Sequence, residues 1–364
     1  MIVHSIEKMK KNNVWSRMLL FALTCVSGVL QLSAQNPVEG VSYYLPRTEL
    51  QFTFLVEKTT YTPGEFAVYA QRYMKRSDVK MDPETAYRII DVKMVPVGVP
   101  DSTKRYTLLM DKKYTINDVI RTDNGILLGI NVQPEEKQQA QQTFVPAPKP
   151  KRLNPKDYLN EEILTAGSPW KMAELTAQEI YEIRESRNLL SRGKAEFMPQ
   201  DGAQLRMMLD GMDQQERALL QLFEGTTEQD TTQVTLTYVP KPGTDRELFF
   251  RFSRHFGFVD DDDLGGSPYY IMVAEEQIPT EDENVGDDKK IKDDVNLYVN
   301  IPGRVKVSLL NGVAPIFTNS LFMGQYGCME NLSGSLFGKK QTSKIQLNPV
   351  TGGIERITEE IVGK

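Results

Sequence analysis

Two hydrophobic patterns divide this chain. Between positions 168 and 225 apolar residues return every three or four positions, the spacing of one helix face. Through most of the remainder they alternate, or run in short blocks bounded by turn residues, which is the mark of strands. The helical stretch opens at Ser168-Pro169, where a serine can cap free amides and a proline at the first helical position loses no hydrogen bond. Ala173, Ala177, Ile180, Ile183 and Leu190 form its buried stripe, and Gly193 is a stop. A second start lies at Asp201, with Gln204 in capping-box spacing. Leu205, Met208, Leu209 and Met212, then Leu219, Leu222 and Phe223, carry an apolar face to Gly225, and Asp213 and Glu216 repeat the box between them. Neither face can stay in water, so the pattern predicts a helical hairpin packed on itself and on a sheet. A docking face for a partner helix is the alternative.

The strand-like pattern falls on both sides of the hairpin. Residues 35–135 read as an N-terminal β-rich domain with strands at 50–58, 89–97, 106–110, 119–121 and 126–132. Thr62-Pro63 starts a short helix over 66–74, and Asp123-Asn124-Gly125 is a tight hairpin turn. Residues 136–167 read as a Pro/Gln-rich linker, because alternating Pro146, Pro148 and Pro150 favour an extended spacer. Residues 226–358 read as a second β-rich domain, with strands at 234–239, 248–252, 269–273, 295–299, 305–309, 317–323, 345–347 and 353–357. Pro302-Gly303 is a turn between two of these, and 359–364 form a tail. The expected fold is α+β: two sandwich or barrel-like β-rich domains joined by the linker and the hairpin.

The N-terminus changes where such a protein belongs. Lys10, Lys11 and Arg17 precede an apolar core over 18–32 that is short for a membrane span, and Ser33-Ala34-Gln35 offers a cleavage site between Ala34 and Gln35. Residues 1–34 therefore read as a secretory signal peptide. A lipid anchor at Cys25 is the alternative, but Thr24 suits it poorly and the apolar run continues past it. Removal of Cys25 leaves Cys328 alone, so the mature chain has no intrachain disulfide. The 364 residues carry a net −6, and residues 1–34 carry +3 of that, so the mature chain is near −9. Such a surface does not suit nucleic acid, whose binding needs cationic charge. Hydrophobic residues at 40% and charged residues at 25% indicate a packed core rather than global disorder.

Several separated blocks look familiar. They are Tyr43-Tyr44-Leu45-Pro46-Arg47-Thr48, Glu57-Lys58-Thr59-Thr60-Tyr61-Thr62-Pro63-Gly64-Glu65, Glu179-Ile180-Tyr181-Glu182-Ile183-Arg184-Glu185-Ser186-Arg187, Pro199-Gln200-Asp201-Gly202, Leu209-Asp210-Gly211-Met212 and Glu216-Arg217-Ala218-Leu219. Together they resemble an uncharacterised domain-of-unknown-function family of secreted envelope proteins from Bacteroidota. The resemblance implies a periplasmic or outer-membrane address and brings no activity, cofactor or active-site residue. Asp101-Ser102-Thr103 and Asp230-Thr231-Thr232 also resemble that lineage's O-glycosylation pattern, which makes Ser102 and Thr231 candidate glycan acceptors in expected loops.

No catalytic motif stands above this background. Asp260, Asp261, Asp262 and Asp263 offer oxygen ligands for a hard cation such as Ca²⁺, but lack the alternate spacing and late Glu of the common calcium loop. A solvated acidic loop is the simpler reading, as it is for 280–288. A serine triad or a Cys328 nucleophile would depend on His255, the one histidine of the mature chain. Zinc cannot be closed by one His and one Cys, and no glycine loop with Lys supports nucleotide binding. No cofactor is expected. Paired carboxylates could perform glycoside hydrolysis, with Trp170 as the one remaining tryptophan to stack a sugar. The sequence thus points to a non-catalytic scaffold or binding component that meets other envelope proteins. A carboxylate-dependent glycan hydrolase is the rival, and a ligand carrier with a large apolar pocket is a third option.

Overall fold

The computed structural model describes residues 40–134, 143–145, 148–149, 152–199, 201–280 and 294–361. The signal-peptide reading, with Cys25, Ala34 and Gln35, lies outside the described residues, as do 135–142 and the acidic run 281–288. In chain order the elements begin with β1 (Gly40–Thr62), α1 (Ala70–Tyr73), β2 (Glu84–Leu109), β3 (Val119–Arg121) and β4 (Leu127–Ile130). The helices α2 (Glu161–Leu164), α3 (Pro169–Ser191) and α4 (Gly202–Glu224) follow. The chain continues through β5 (Thr226–Tyr238), β6 (Arg246–Ser253), β7 (Gly257–Val259), β8 (Ser267–Gln277), β9 (Asp294–Asn311), β10 (Ala314–Ser333), β11 (Gln341–Leu347) and β12 (Ile354–Ile361).

Three antiparallel sheets result, with strand orders β2-β1-β5, β10-β9-β8-β6-β7 and β12-β11-β4-β3. The chain is β-rich, as expected, but the sheets do not follow a division at the hairpin. β1 pairs with β5 along its second half, Leu50 with Tyr238 through Thr62 with Thr226. β4 pairs with β11 through Ile130 and Ile345. The reason is geometric: an alternating pattern says which residues are buried, not which strand lies alongside. The N-terminal and C-terminal β-rich stretches therefore share sheets where the sequence suggested two separate domains.

They share cores as well. In one, Leu50, Phe52, Phe54, Val56 and Met94 face Phe250, Ile271, Val305, Val307 and Leu309 across a sheet-on-sheet interface. In the other, Tyr43, Leu45 and Leu108 meet Leu127, Ile130, Val295, Leu297, Phe337, Ile345 and Leu347. β1 and β9 run through both. The inward residues of β1 are odd-numbered in the second core and even-numbered in the first, so the strand changes face between Leu45 and Leu50.

That change happens at a polar joint between the cores. Asn300 is buried, and its side-chain amide donates to the carbonyls of Pro46 (3.2 Å) and Thr351 (2.8 Å). The Thr48 amide donates to Gln325 Oε1 at 2.9 Å, and Gln325 Nε2 returns a bond to the Thr48 carbonyl at 2.8 Å. Pro302-Gly303 lies here too, inside β9 rather than at the turn the sequence suggested. The ladder to β10 jumps from Gly303–Met323 to Ile301–Cys328, so Pro302 sits where no partner amide is needed.

The helical hairpin keeps the expected ends, although the Ser168 side chain makes no capping hydrogen bond and α4 runs unbroken past Asp213 and Glu216. Pro169 opens α3, and Asp201 caps α4 by accepting from the Ala203 amide at 3.0 Å. Gly225 ends α4 at φ +79°, with Thr62 O only 2.4 Å from where a Cβ would stand. Ala173, Ala177, Ile180 and Ile183 pack with Leu219, Leu222 and Phe223 over Phe66, Ala70 and Met74. Arg184 Nε and Arg187 Nη1 each reach the nearly buried Glu216 at 2.6 Å. The hairpin thus docks on the segment after β1 and feeds straight into β5. Met208, expected in the buried stripe, is exposed with Met207, because the tip of the hairpin extends beyond the 66–74 segment.

Part of the expected linker is docked rather than spanning. Phe144 exchanges two hydrogen bonds with the Gln233 side chain, at 3.1 and 2.7 Å. Lys149 and Arg152 pair with Asp230 and Glu228, both at 2.7 Å. All three partners lie on β5. Residues 359–361, expected in the tail, complete β12.

Candidate functional site

A concave surface follows the outer edge of β2. β1 covers one side of β2 in its sheet, and among the described residues no strand pairs with the other, where the Tyr87 amide is taken by the Arg254 carbonyl. A groove of about 1040 Å³ runs against residues 86–92 of β2. Its floor takes Phe252, Tyr269 and Phe317 from the first core. A second depression of about 330 Å³ shares Thr59, Ala86 and Arg254 with it, so the two form one channel. The β2 segment from Glu84 to Val92 gives that channel a length of roughly 26 Å.

Side chains along it are tied to one another. Glu57, opposite Arg88 in the ladder, accepts from Arg88 Nη2 at 2.9 Å. Asp91 accepts from the Val92 amide at 2.8 Å. Arg254 reaches Glu84 at 3.4 Å, and its carbonyl accepts the Tyr87 amide at 2.6 Å, anchoring the β2 edge to the end of β6. At the narrow end Arg76 pairs with Asp78 at 2.7 Å and Glu224 at 2.8 Å. Burial pushes the Tyr269 phenol upward, and Asn311 Nδ2 donates to its oxygen at 3.2 Å. The surface therefore offers alternating charge, an apolar floor and strand-edge backbone over several residues.

Two of these carboxyls sit below the usual carboxylate range. The hydrogen bond from Arg76 holds Asp78 down, and that from Lys80 holds Glu84 down. A depressed carboxyl stabilises the fold above its unfolded pKa, and that contribution is lost as pH falls through the folded value. Glu84→Gln is accordingly expected to lower the thermal midpoint at neutral pH and to leave it unchanged near about pH 2. Scanning fluorimetry at both pH values checks this.

The residues singled out from sequence lie elsewhere. Asp260, Asp261, Asp262 and Asp263 form the β7–β8 turn, where Asp263 Oδ1 caps the Gly265 amide at 2.8 Å and the Asp261 carbonyl accepts from Arg251 Nε at 2.7 Å. Among the described residues no group of three or more His, Cys, Asp or Glu is placed to share a metal ion. His255 is exposed at the β6–β7 turn, and Cys328 lies on β10. Three strand spacings, roughly 14 Å, separate β6 from β10, so the two do not meet. Trp170 is half-exposed in the first turn of α3.

Ser102 and Thr231 are exposed but lie in strands, not in loops. Ser102 sits in the stretch of β2 that bulges out between Pro100 and Arg105, where Asp101 Oδ1 accepts from the Thr103 amide at 3.0 Å. Thr231 faces Glu57 in the β1–β5 ladder. The polar Asp-Thr-Thr run reads as a loop, yet β-branched threonines fit a solvated edge strand. Glu57, Arg88, Asp91 and Arg254 escaped the sequence reading because their proximity depends on strand pairing. The one local signal was the alternation of β2.

Among the described residues no helix is long and apolar enough to cross a membrane. Searches of the curated proteins and of the solved structures return no match. The profile of a family described as a domain of unknown function, DUF4831, matches residues 39–355, and the chain belongs to that family.

Proposed function

We infer that the protein is an exported cell-envelope component that binds, without catalysis, an extended segment of another envelope protein along the β2 channel. The observation that carries this reading is the uncovered edge of β2 facing a groove with an apolar floor. Such an edge holds a guest strand through main-chain hydrogen bonds, while alternate side chains meet the floor and the charged rim. Export rests on the signal-like residues 1–34. The hydrolase reading has less support here. Glu57 is committed to Arg88 and Asp91 to its neighbouring backbone, and the depressed carboxyls Asp78 and Glu84 run opposite to what a general acid needs.

The test is fractionation of cells producing the tagged full-length chain, followed by cross-linking in the living cells, pull-down and mass spectrometry. Recovery in the envelope fraction with one reproducibly enriched envelope protein is the expected result. Recovery in the cytosol, or a clean monomer with nothing enriched, overturns the reading.

A further inference from the structure

The last strand, β12, is exposed at all eight of its positions. Among the described residues it forms one edge of its sheet and pairs with β11 alone. Three aliphatic side chains sit on it, Ile354 (39% exposed), Ile357 (47%) and Ile361 (82%). An uncovered strand carrying isoleucines is a pairing template, and the chemistry of this one selects its partner.

Its side chains are self-complementary about Thr358. In an antiparallel pair of two β12 strands with Thr358 opposite its counterpart, Arg356 of each chain stands opposite Glu360 of the other. On the other face of the sheet, Ile357 then lies diagonal to Ile357 of the second copy. Centring the pair on Arg356, Ile357, Glu359 or Glu360 instead brings like charges face to face. Arg356 has no ion-pair partner among the described residues. Glu360 already takes Lys344 at 2.9 Å from the β11 side, which leaves its outer side to a second cation.

We propose that β12 is a homodimerisation edge, pairing antiparallel with β12 of a second copy about a two-fold axis at Thr358. The pairing joins two four-stranded sheets into one and removes the open edge from both copies. It does not involve the β2 channel and stands or falls separately from it. One strand pair is smaller than a standard interface, so half-association is expected on the order of 10–100 µM.

Sedimentation equilibrium on the full-length chain up to about 500 µM tests it. The wild type is expected to dimerise. Arg356→Glu and Glu360→Arg, both at exposed positions, are each expected to be monomeric with circular dichroism unchanged. An equimolar mixture of the two variants is expected to dimerise again, because the glutamate introduced in one chain then faces the arginine introduced in the other. A wild type that stays monomeric, a dimer that Arg356→Glu leaves intact, or a mixture that stays monomeric overturns the proposal.

Discussion

Gly327→Ala is expected to destabilise the protein by about 3 kcal/mol or more, by overpacking the joint between the two cores. A Cβ at Gly327 would stand 1.7 Å from the Ile301 carbonyl oxygen and 2.9 Å from the Gly303 amide nitrogen. Both are backbone atoms of β9 and cannot rotate away as a side-chain tip would. The same crossing holds the Asn300 amide against the carbonyls of Pro46 and Thr351, so a shift of β9 also weakens those buried bonds. Gly211→Ala is the internal comparison. Gly211 is exposed within α4 with nothing near its would-be Cβ, and alanine there is expected to add roughly 0.5–1 kcal/mol. Urea unfolding of the two variants beside wild type checks both signs.

Phe54→Ala is the second large effect. Phe54 is fully buried, with ring centroids 4.9 Å from Phe250 and 5.4 Å from Phe258. Truncation removes its transfer energy and leaves a cavity between two sheets that cannot close, a loss of about 3–5 kcal/mol. Because Phe250 and Phe252 contact Tyr269 in the same cluster, the cavity also loosens the channel floor. Thermal unfolding is expected to show a midpoint lowered by roughly 4–7 °C.

These two sites show what sequence could and could not reveal. Helix signals are local: Pro169, Asp201 and Gly225 set the hairpin ends within a residue or two. The alternation from Leu50 to Val56 is local too, and it names the buried face of β1 correctly. Pairing is not local. Nothing near Leu50 indicates that Tyr238 lies beside it, and nothing near Ile130 indicates Ile345. Local breakers even mislead when the partner strand bulges. Pro302-Gly303 has the composition of a turn, but the jump in β10 lets β9 run through it.

The blocks that carry the family resemblance fall on these long-range features. Tyr43 takes the Tyr298 amide at 2.7 Å in the second core, and Thr48 binds Gln325 in the joint. Arg184 and Arg187 of one helical block meet Glu216 of another. They read as parts of the scaffold. The channel touches those blocks at Glu57, Thr59 and Tyr61 on β1, while its β2 side, with Arg88, Ile90 and Asp91, lies outside them.

The central functional claim is that the β2 edge receives a guest chain. Site-specific photo-cross-linking in living cells tests it most directly, with a photoreactive residue at Ile90 in the groove and, as control, at the exposed Val68 outside it. The account predicts one discrete protein adduct from position 90 and none from position 68. No adduct from position 90, or the same adducts from both, would contradict it.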